Sequence, residues 1–442
     1  MTLDMTREKP VRCILRFALP LMLSSLLQQF YTMCDSVIVG RLLGTLAFTA
    51  TGSAGYLNWF PLSMLMGATH GFGIPLAQRF GAKKHEEFRR FFGGSLVLSL
   101  LIGVLFSLVG MFYVEGFLTL LNTPAELMDL AARYIKVLWT GFWITAMMNM
   151  FTSALMAMGD SRTPLAALAI SSVVNIVLDL VFIQWMNMGV EGAALATLIA
   201  QGCAALWSLR GLCRVRELMP RKRDFRIRPD VLKELIRMGL PRIVSNAVIS
   251  SGELIVQAAI NACGVVFVTG MTAARRYFNL VNVIGGALEG SLVTFVGQNY
   301  GAGKYKRIVQ GTRSAITMGF VTSVATGVLV WVLAEPMIRF FVPEGTAEVI
   351  RVGMLALRIQ AVFLWSLYLL CEFRASIQGM GNVLIPTVSG FLELALRIGC
   401  AVFVPMVMGK EGLYFTDIAA WVPTMAMLIV SYFQLRKKLP SE

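Results

Sequence analysis

Asp35 and Asp179 are carboxylates set inside apolar runs of membrane-spanning length, and Asn175 lies one helical turn before Asp179. A charge in hydrocarbon costs at least about 2.5–3.5 kcal/mol, so such residues usually serve an ion or substrate path. Asn175 and Asp179 share one helix face through their i,i+4 spacing. Thr197 and Tyr134 lie a short way into runs that cross in the opposite direction. At a rise of 1.5 Å per residue, all five side chains occupy one layer, roughly 7–15 Å below the outer face. Two carboxylates, an amide and two hydroxyls at one depth suit a proton or a small hard cation such as Na⁺. Asp35, Asn175, Asp179 and Thr197 are therefore the candidate cation-coupling site. The plainer alternative is an interhelical hydrogen-bonded cluster in which at least one Asp is protonated.

The second half of the chain is less orderly. Glu253, Glu289, Glu372, Glu393 and Asp417 are scattered in depth. Glu393 and Arg397 are spaced i,i+4 and read as a pair that neutralises itself. Glu253 is the one acid in its run and a candidate wall residue for a cationic substrate. His70 reads as a helix-packing residue, and His85 lies in a charged loop. Neither has a second ligand at helical spacing, so no metal centre is expected beyond a Na⁺ at the four residues above. Seven cysteines form no Cys-x-x-Cys pair, and most sit in apolar runs, as packing residues do.

These residues need elements to hold them. The 442-residue chain is 57% hydrophobic and 14% charged, more apolar surface than a soluble fold can bury. Twelve apolar runs fall near 13–40, 46–76, 91–114, 131–158, 163–186, 192–212, 239–262, 268–298, 312–334, 350–376, 384–407 and 412–435. Lipid offers the backbone no hydrogen bonds, so each run must be an α-helix. The fold class is an all-α polytopic membrane protein. Basic residues cluster before the first run, after the second, sixth and eighth, and at the end of the chain. The loop after the third run carries Glu115, Glu126 and Asp129 and no Lys or Arg. The positive-inside rule then places both termini in the cytoplasm, with a bacterial inner (plasma) membrane as the expected location. The net charge of +14 belongs to these loops rather than to one basic face, so nucleic acid is not expected as a partner. The polar Met1–Lys9 and the long first run argue against a cleaved signal peptide.

The chain repeats itself. Gln78-Arg-Phe-Gly-Ala82 returns as Gln298-Asn-Tyr-Gly-Ala302, Leu19-Pro20 as Leu240-Pro241, and Met158-Gly159-Asp160 as Met380-Gly381-Asn382, all at an offset near 220 residues. Two six-helix bundles are expected, residues 1–213 and 239–442, related by an axis along the membrane normal. A basic cytoplasmic linker, 214–238, joins them; in it Val231, Leu232, Leu235 and Ile236 form an amphipathic segment facing lipid. Prolines within the runs mark bends, Pro20 among them as a hinge of the first. The 26 Met and 28 Phe supply walls suited to flat, apolar ligands.

These features resemble the multidrug and toxic compound extrusion (MATE) family over essentially the whole chain. Pro20, Asp35 followed by Val-Gly-Arg-Leu-Leu-Gly44, Asn175-x-x-x-Asp179 and Thr197 resemble the DinF-type branch. There, the matching Asp, Asn, Asp and Thr form a cation site in the N-terminal half. The resemblance also implies that Tyr134 and Asn149 line that half's cavity. It implies antiport: H⁺ or Na⁺ enters while an organic, mostly cationic or amphipathic, drug or metabolite leaves. No cofactor and no partner beyond lipid is implied, and a monomer is expected. Glu253 and Glu372 do not match the acids of the family's NorM-type branch by spacing. The competing reading within the superfamily is a flippase for lipid-linked oligosaccharides, with Arg275, Arg276, Arg358, Arg374 and Arg397 holding a pyrophosphate. Nothing points to an enzyme: no Asp-rich diphosphate motif, His-Glu-x-x-His or paired His cluster occurs.

Overall fold

With no water to satisfy it, the backbone of each apolar run closes its own hydrogen bonds. The computed structural model describes residues 3–120, 123–342 and 345–440. Its helices are α1 (Pro10–Gly81), α2 (His85–Leu120), α3 (Ala125–Thr140), α4 (Phe142–Ala157), α5 (Arg162–Asp179), α6 (Gly189–Cys213), α7 (Pro229–Asn261), α8 (Val265–Gly301), α9 (Tyr305–Phe341), α10 (Ala347–Gly379), α11 (Leu384–Met408) and α12 (Thr416–Lys437). Among the described residues there is no strand. α1 is two spans, because Gly44 interrupts it with φ 84° and ψ 177°. The run expected as one helix over 131–158 is instead broken at Gly141 (φ −94°, ψ 10°), so α3 and α4 together make one span. With each remaining helix crossing once, the twelve expected spans are present. Outward-turned Phe112, Trp185, Met406 and Val407 are each more than 70% exposed, as lipid-facing side chains must be.

The chain divides into two compact units. One is Leu23–Ile243 with the residues up to Asp4; the other is Met5–Met22 with the residues from Val244 onward. The boundaries after Met22 and after Ile243 fall inside helices, close to Pro20 in α1 and Pro241 in α7. In the first unit, Phe72, Phe88, Phe91, Phe92, Met150 and Leu155 form one core, and Trp139, Phe142, Leu118 and Ile135 belong to another. In the second, Phe267, Ile338, Leu357, Leu413 and Tyr414 pack together.

The repeated Gln-x-x-Gly-Ala motif has a structural job. Gln298 Oε1 accepts the Met5 N–H at 2.9 Å, and Asn299 Nδ2 donates to the Met5 carbonyl at 3.2 Å. Lys304 reaches the Thr6 carbonyl at 2.8 Å, and Arg307 the Glu8 carbonyl at 2.6 Å. The motif thus binds the segment that leads into α1. Its copy sits by the linker: Arg79 pairs with Glu234 at 2.7 Å, and Arg89 donates to the Glu217 carbonyl at 2.9 Å. Val231 and Leu235 are buried in protein, in the cluster that holds Phe88 and Phe92, and do not face lipid. The segment is the opening of α7; Val231 and Leu235 of its apolar stripe belong to a core, whereas Leu232 is half-buried and Ile236 exposed.

The Met-Gly-Asp/Asn repeat is a helix stop followed by a start. Gly159 (φ 80°) and Gly381 (φ 85°) take the left-handed conformation that ends a helix cheaply only in glycine. The next residue caps the following helix. Asp160 Oδ1 accepts the N–H groups of Arg162 (3.1 Å) and Thr163 (3.0 Å), and Asn382 Oδ1 accepts that of Ile385 (3.2 Å). Asp160→Ala is expected to cost about 1 kcal/mol, seen as a lower midpoint in detergent unfolding.

Candidate functional site

The candidate site lies in the first unit and is built from four helices. The first span of α1 supplies Tyr31 and Asp35, one turn apart; α3 supplies Tyr134; α5 supplies Asn175 and Asp179; α6 supplies Thr197. Asn175 and Asp179 are fully buried, and Asp35, Tyr134 and Thr197 are partly buried. The carboxyl groups of Asp35 and Asp179 lie within interaction range of each other. Ionised carboxylates only accept, so a hydrogen bond between the two needs a proton on one of them. Turned to satisfy its neighbours, the Asn175 amide directs its nitrogen to Asp179 Oδ2 (2.9 Å) and its oxygen to the Thr197 N–H (3.2 Å). In the reverse orientation, Nδ2 donates to Thr197 Oγ1 at 3.3 Å, and the carboxylate of Asp179 loses its donor. The Thr197 hydroxyl also bonds the Ala193 carbonyl (3.0 Å) and meets the phenol of Tyr31. Asp35 Oδ1 and Asp179 Oδ1 remain buried without a hydrogen-bond partner. A π-helical turn, Leu180–Trp185, begins directly after Asp179, a local widening that recurs at functional positions.

The Asp35 side of this cluster opens on a cavity of about 200 Å³. Tyr31, Asp35, Tyr134 and Thr197 line it together with Asn58, Thr145, Gln201, Leu138 and Phe142; no Lys or Arg is among the described lining residues. Thr145 Oγ1 bonds Gln201 Oε1 at 2.5 Å, and Asn58 Oδ1 accepts the indole N–H of Trp139 at 3.0 Å. The wall is thus part aromatic and part neutral hydrogen-bonding, with Asp35 the one carboxylate among the described lining residues.

The structure therefore brings Asp35, Asn175, Asp179, Thr197 and Tyr134 together. Asn149 is not among the lining residues; its amide donates to the Thr145 carbonyl on its own helix at 2.9 Å. Glu253 belongs to the second unit, where it is exposed and within electrostatic reach of Arg397, Arg275, Asp417 and Glu393. Sequence reading missed Tyr31, Asn58, Thr145 and Gln201. Only Tyr31 carried a signal, its i,i+4 spacing from Asp35.

Among the acids of the second unit, Glu393 and Asp417 are less scattered than their spacing suggests. Arg374 of α10 is the close partner of Glu393. Arg397 lies farther from Glu393 (4.0 Å) and pairs with Asp417 at 3.4 Å. The expected self-neutralising pair is thus part of a chain of four buried or half-buried charges. Glu372 is fully buried, with both oxygens lacking a hydrogen-bond partner.

Comparison with known proteins agrees with this architecture. The pattern of the MatE family matches residues 20–181 and 241–403. The chain is 27% identical over 344 residues to the probable multidrug resistance protein YpnP of Bacillus subtilis strain 168, covering 78% of this chain and 77% of that one. It is 25% identical over 340 residues to DNA damage-inducible protein F of Escherichia coli K12, covering 74% and 72%. A solved structure, an outward-facing multidrug resistance MATE family transporter of the MOP superfamily, superposes with a TM-score of 0.92 at 24% identity, covering 99% of this chain and 98% of that one.

Proposed function

The chain belongs to the MatE family, and on that premise we propose that it is a proton-coupled antiporter exporting organic, mostly cationic or amphipathic compounds. The observation that carries this reading is the pair of carboxyl groups, Asp35 and Asp179, within interaction range beside a cavity with no Lys or Arg among its described lining residues. When the pair holds its proton, it is less costly to enclose in a low-dielectric site; when it has lost it, it attracts a cation from the cavity. Protons entering on one side and a cationic compound leaving on the other then compete for the same carboxylates. Such competition shifts the protein between two access states only through differential affinity for them. We assign those states to alternating access by the two six-helix halves, with α1 bending near Pro20.

The choice of proton over Na⁺ rests on Asn175. In the orientation that gives Asp179 a donor, its amide turns nitrogen, not oxygen, to that carboxylate, and so withholds an oxygen ligand that Na⁺ would use. The flippase reading is weakened by the second unit, where Arg374 and Arg397 are already held by Glu393 and Asp417 and not free for a pyrophosphate. The clustering of basic loops supports residence in the bacterial inner membrane with cytoplasmic termini. The test is dye transport in proteoliposomes carrying either a pH gradient or a Na⁺ gradient alone. The pH gradient is expected to drive transport and the Na⁺ gradient to fail. Transport driven by Na⁺ alone would overturn the proton assignment, and failure under both would overturn antiport.

A further inference from the structure

The membrane-facing side of α9 and α10 carries a groove of about 330 Å³ that plays no part in the site above. Val324, Gly327, Val328 and Trp331 of α9 line it opposite Val362 and Trp365 of α10. At Gly327 the helices are so close that a Cβ would stand 2.7 Å from the Ala361 carbonyl oxygen, and this approach forms the floor. The rims are open: Val328 is 61% and Val362 55% exposed. One turn before Val362 sits Arg358. Its Nε donates to the Trp331 carbonyl at 3.2 Å, and its guanidinium carbon lies 4.7 Å from the Trp331 ring centre. An arginine therefore closes one end of an apolar channel.

Arg358 has no ion pair among the described residues, although charged groups surround this end of the two helices. Glu335 is engaged by Arg339 at 2.9 Å, Arg351 by Glu411 at 3.4 Å and Glu348 by Lys410 at 3.2 Å. Depth makes the unpaired cation informative. α10 has 33 residues, about 50 Å of helix, against a hydrocarbon core of about 30 Å. Arg358 follows the start of α10 at Ala347 by about 16 Å, which puts its Cα roughly 6 Å inside the hydrocarbon if the helix overhangs equally at both ends. A long side chain spans that distance and brings its charge to the level of lipid phosphates.

We propose that this groove binds one anionic phospholipid from the leaflet on the side of the α9–α10 connection. The phosphodiester meets Arg358, and an acyl chain lies along Trp331, Val328 and Val362. A net-negative lipid neutralises the guanidinium, whereas a zwitterionic one brings its own cation to the same place. The proposal needs only the membrane-spanning fold and is independent of the transport reading.

The test uses the full-length protein in phosphatidylcholine vesicles containing a minor fraction of acyl-brominated lipid, which quenches tryptophan on contact. Brominated phosphatidylglycerol is expected to quench more than brominated phosphatidylcholine at equal fraction. That excess is expected to fall by at least half in Arg358→Gln and in Trp331→Phe, and to survive in Arg358→Lys. Equal quenching by the two lipids in the unaltered protein would overturn the proposal, as would an excess that Arg358→Gln reduces by less than half.

Discussion

Asp35→Asn and Asp179→Asn are each expected to reduce pH-driven dye efflux from proteoliposomes to the leak of protein-free vesicles. The amide keeps the size and hydrogen-bonding reach of the carboxyl but cannot exchange a proton. In Asp179→Asn, the side-chain oxygen still accepts from the Asn175 amide, so the α5 face is retained. Folding is expected to survive because each change removes a costly charge from the membrane interior rather than adding one. Yield after membrane extraction and a symmetric gel-filtration peak are the checks on that point. The double variant is expected to be no worse than either single one, because residues that act as a unit lose function together. Efflux near the unaltered level in both single variants would remove the pair from the mechanism.

Arg374→Met is expected to have the largest effect on stability. Glu393 and Arg374 are each more than nine-tenths buried. Removing the arginine leaves a buried carboxylate whose remaining partner, Arg397, is 4.0 Å away and already engaged by Asp417. Breaking a buried pair from one side costs about 3–5 kcal/mol. The loss is read as a lower midpoint in denaturing-detergent titration. Adding Glu393→Leu to Arg374→Met is expected to recover most of it, since a pair replaced on both sides by apolar groups is often close to neutral. A double variant as unstable as the single one would show that Arg374 matters through packing and not through the charge it holds.

How much of this was readable beforehand follows from what a bilayer does to sequence patterns. Helix existence was legible because lipid forbids other spanning backbone. Depth was legible because a helix rises uniformly, which put Asp35, Asn175, Asp179 and Thr197 in one layer. Rotation about each helix axis was not legible. In a membrane, the outward and inward faces are both apolar, so no stripe says which way a helix is turned. Asn58, Thr145 and Gln201 went unnoticed for that reason, and Asn149 was placed in a cavity it does not line. Val231 and Leu235 were turned toward lipid by the same ambiguity. The i,i+4 pairing of Glu393 with Arg397 was a local inference, and a residue on another helix, Arg374, overrode it. Gly141 marked no break in advance, because membrane helices tolerate glycine without bending.

The two unit boundaries lie inside α1 and α7 rather than in the linker between the repeats. For the history of such a chain this has a definite meaning. A half-length ancestor that doubled would cease to be modular once its leading helical turns packed in its copy's unit. A gene cut at the linker would yield two fragments, each ending its fold on turns the other encodes. They would be useful only when made together, and neither could wander off as a separate lineage without first regrowing what it borrows.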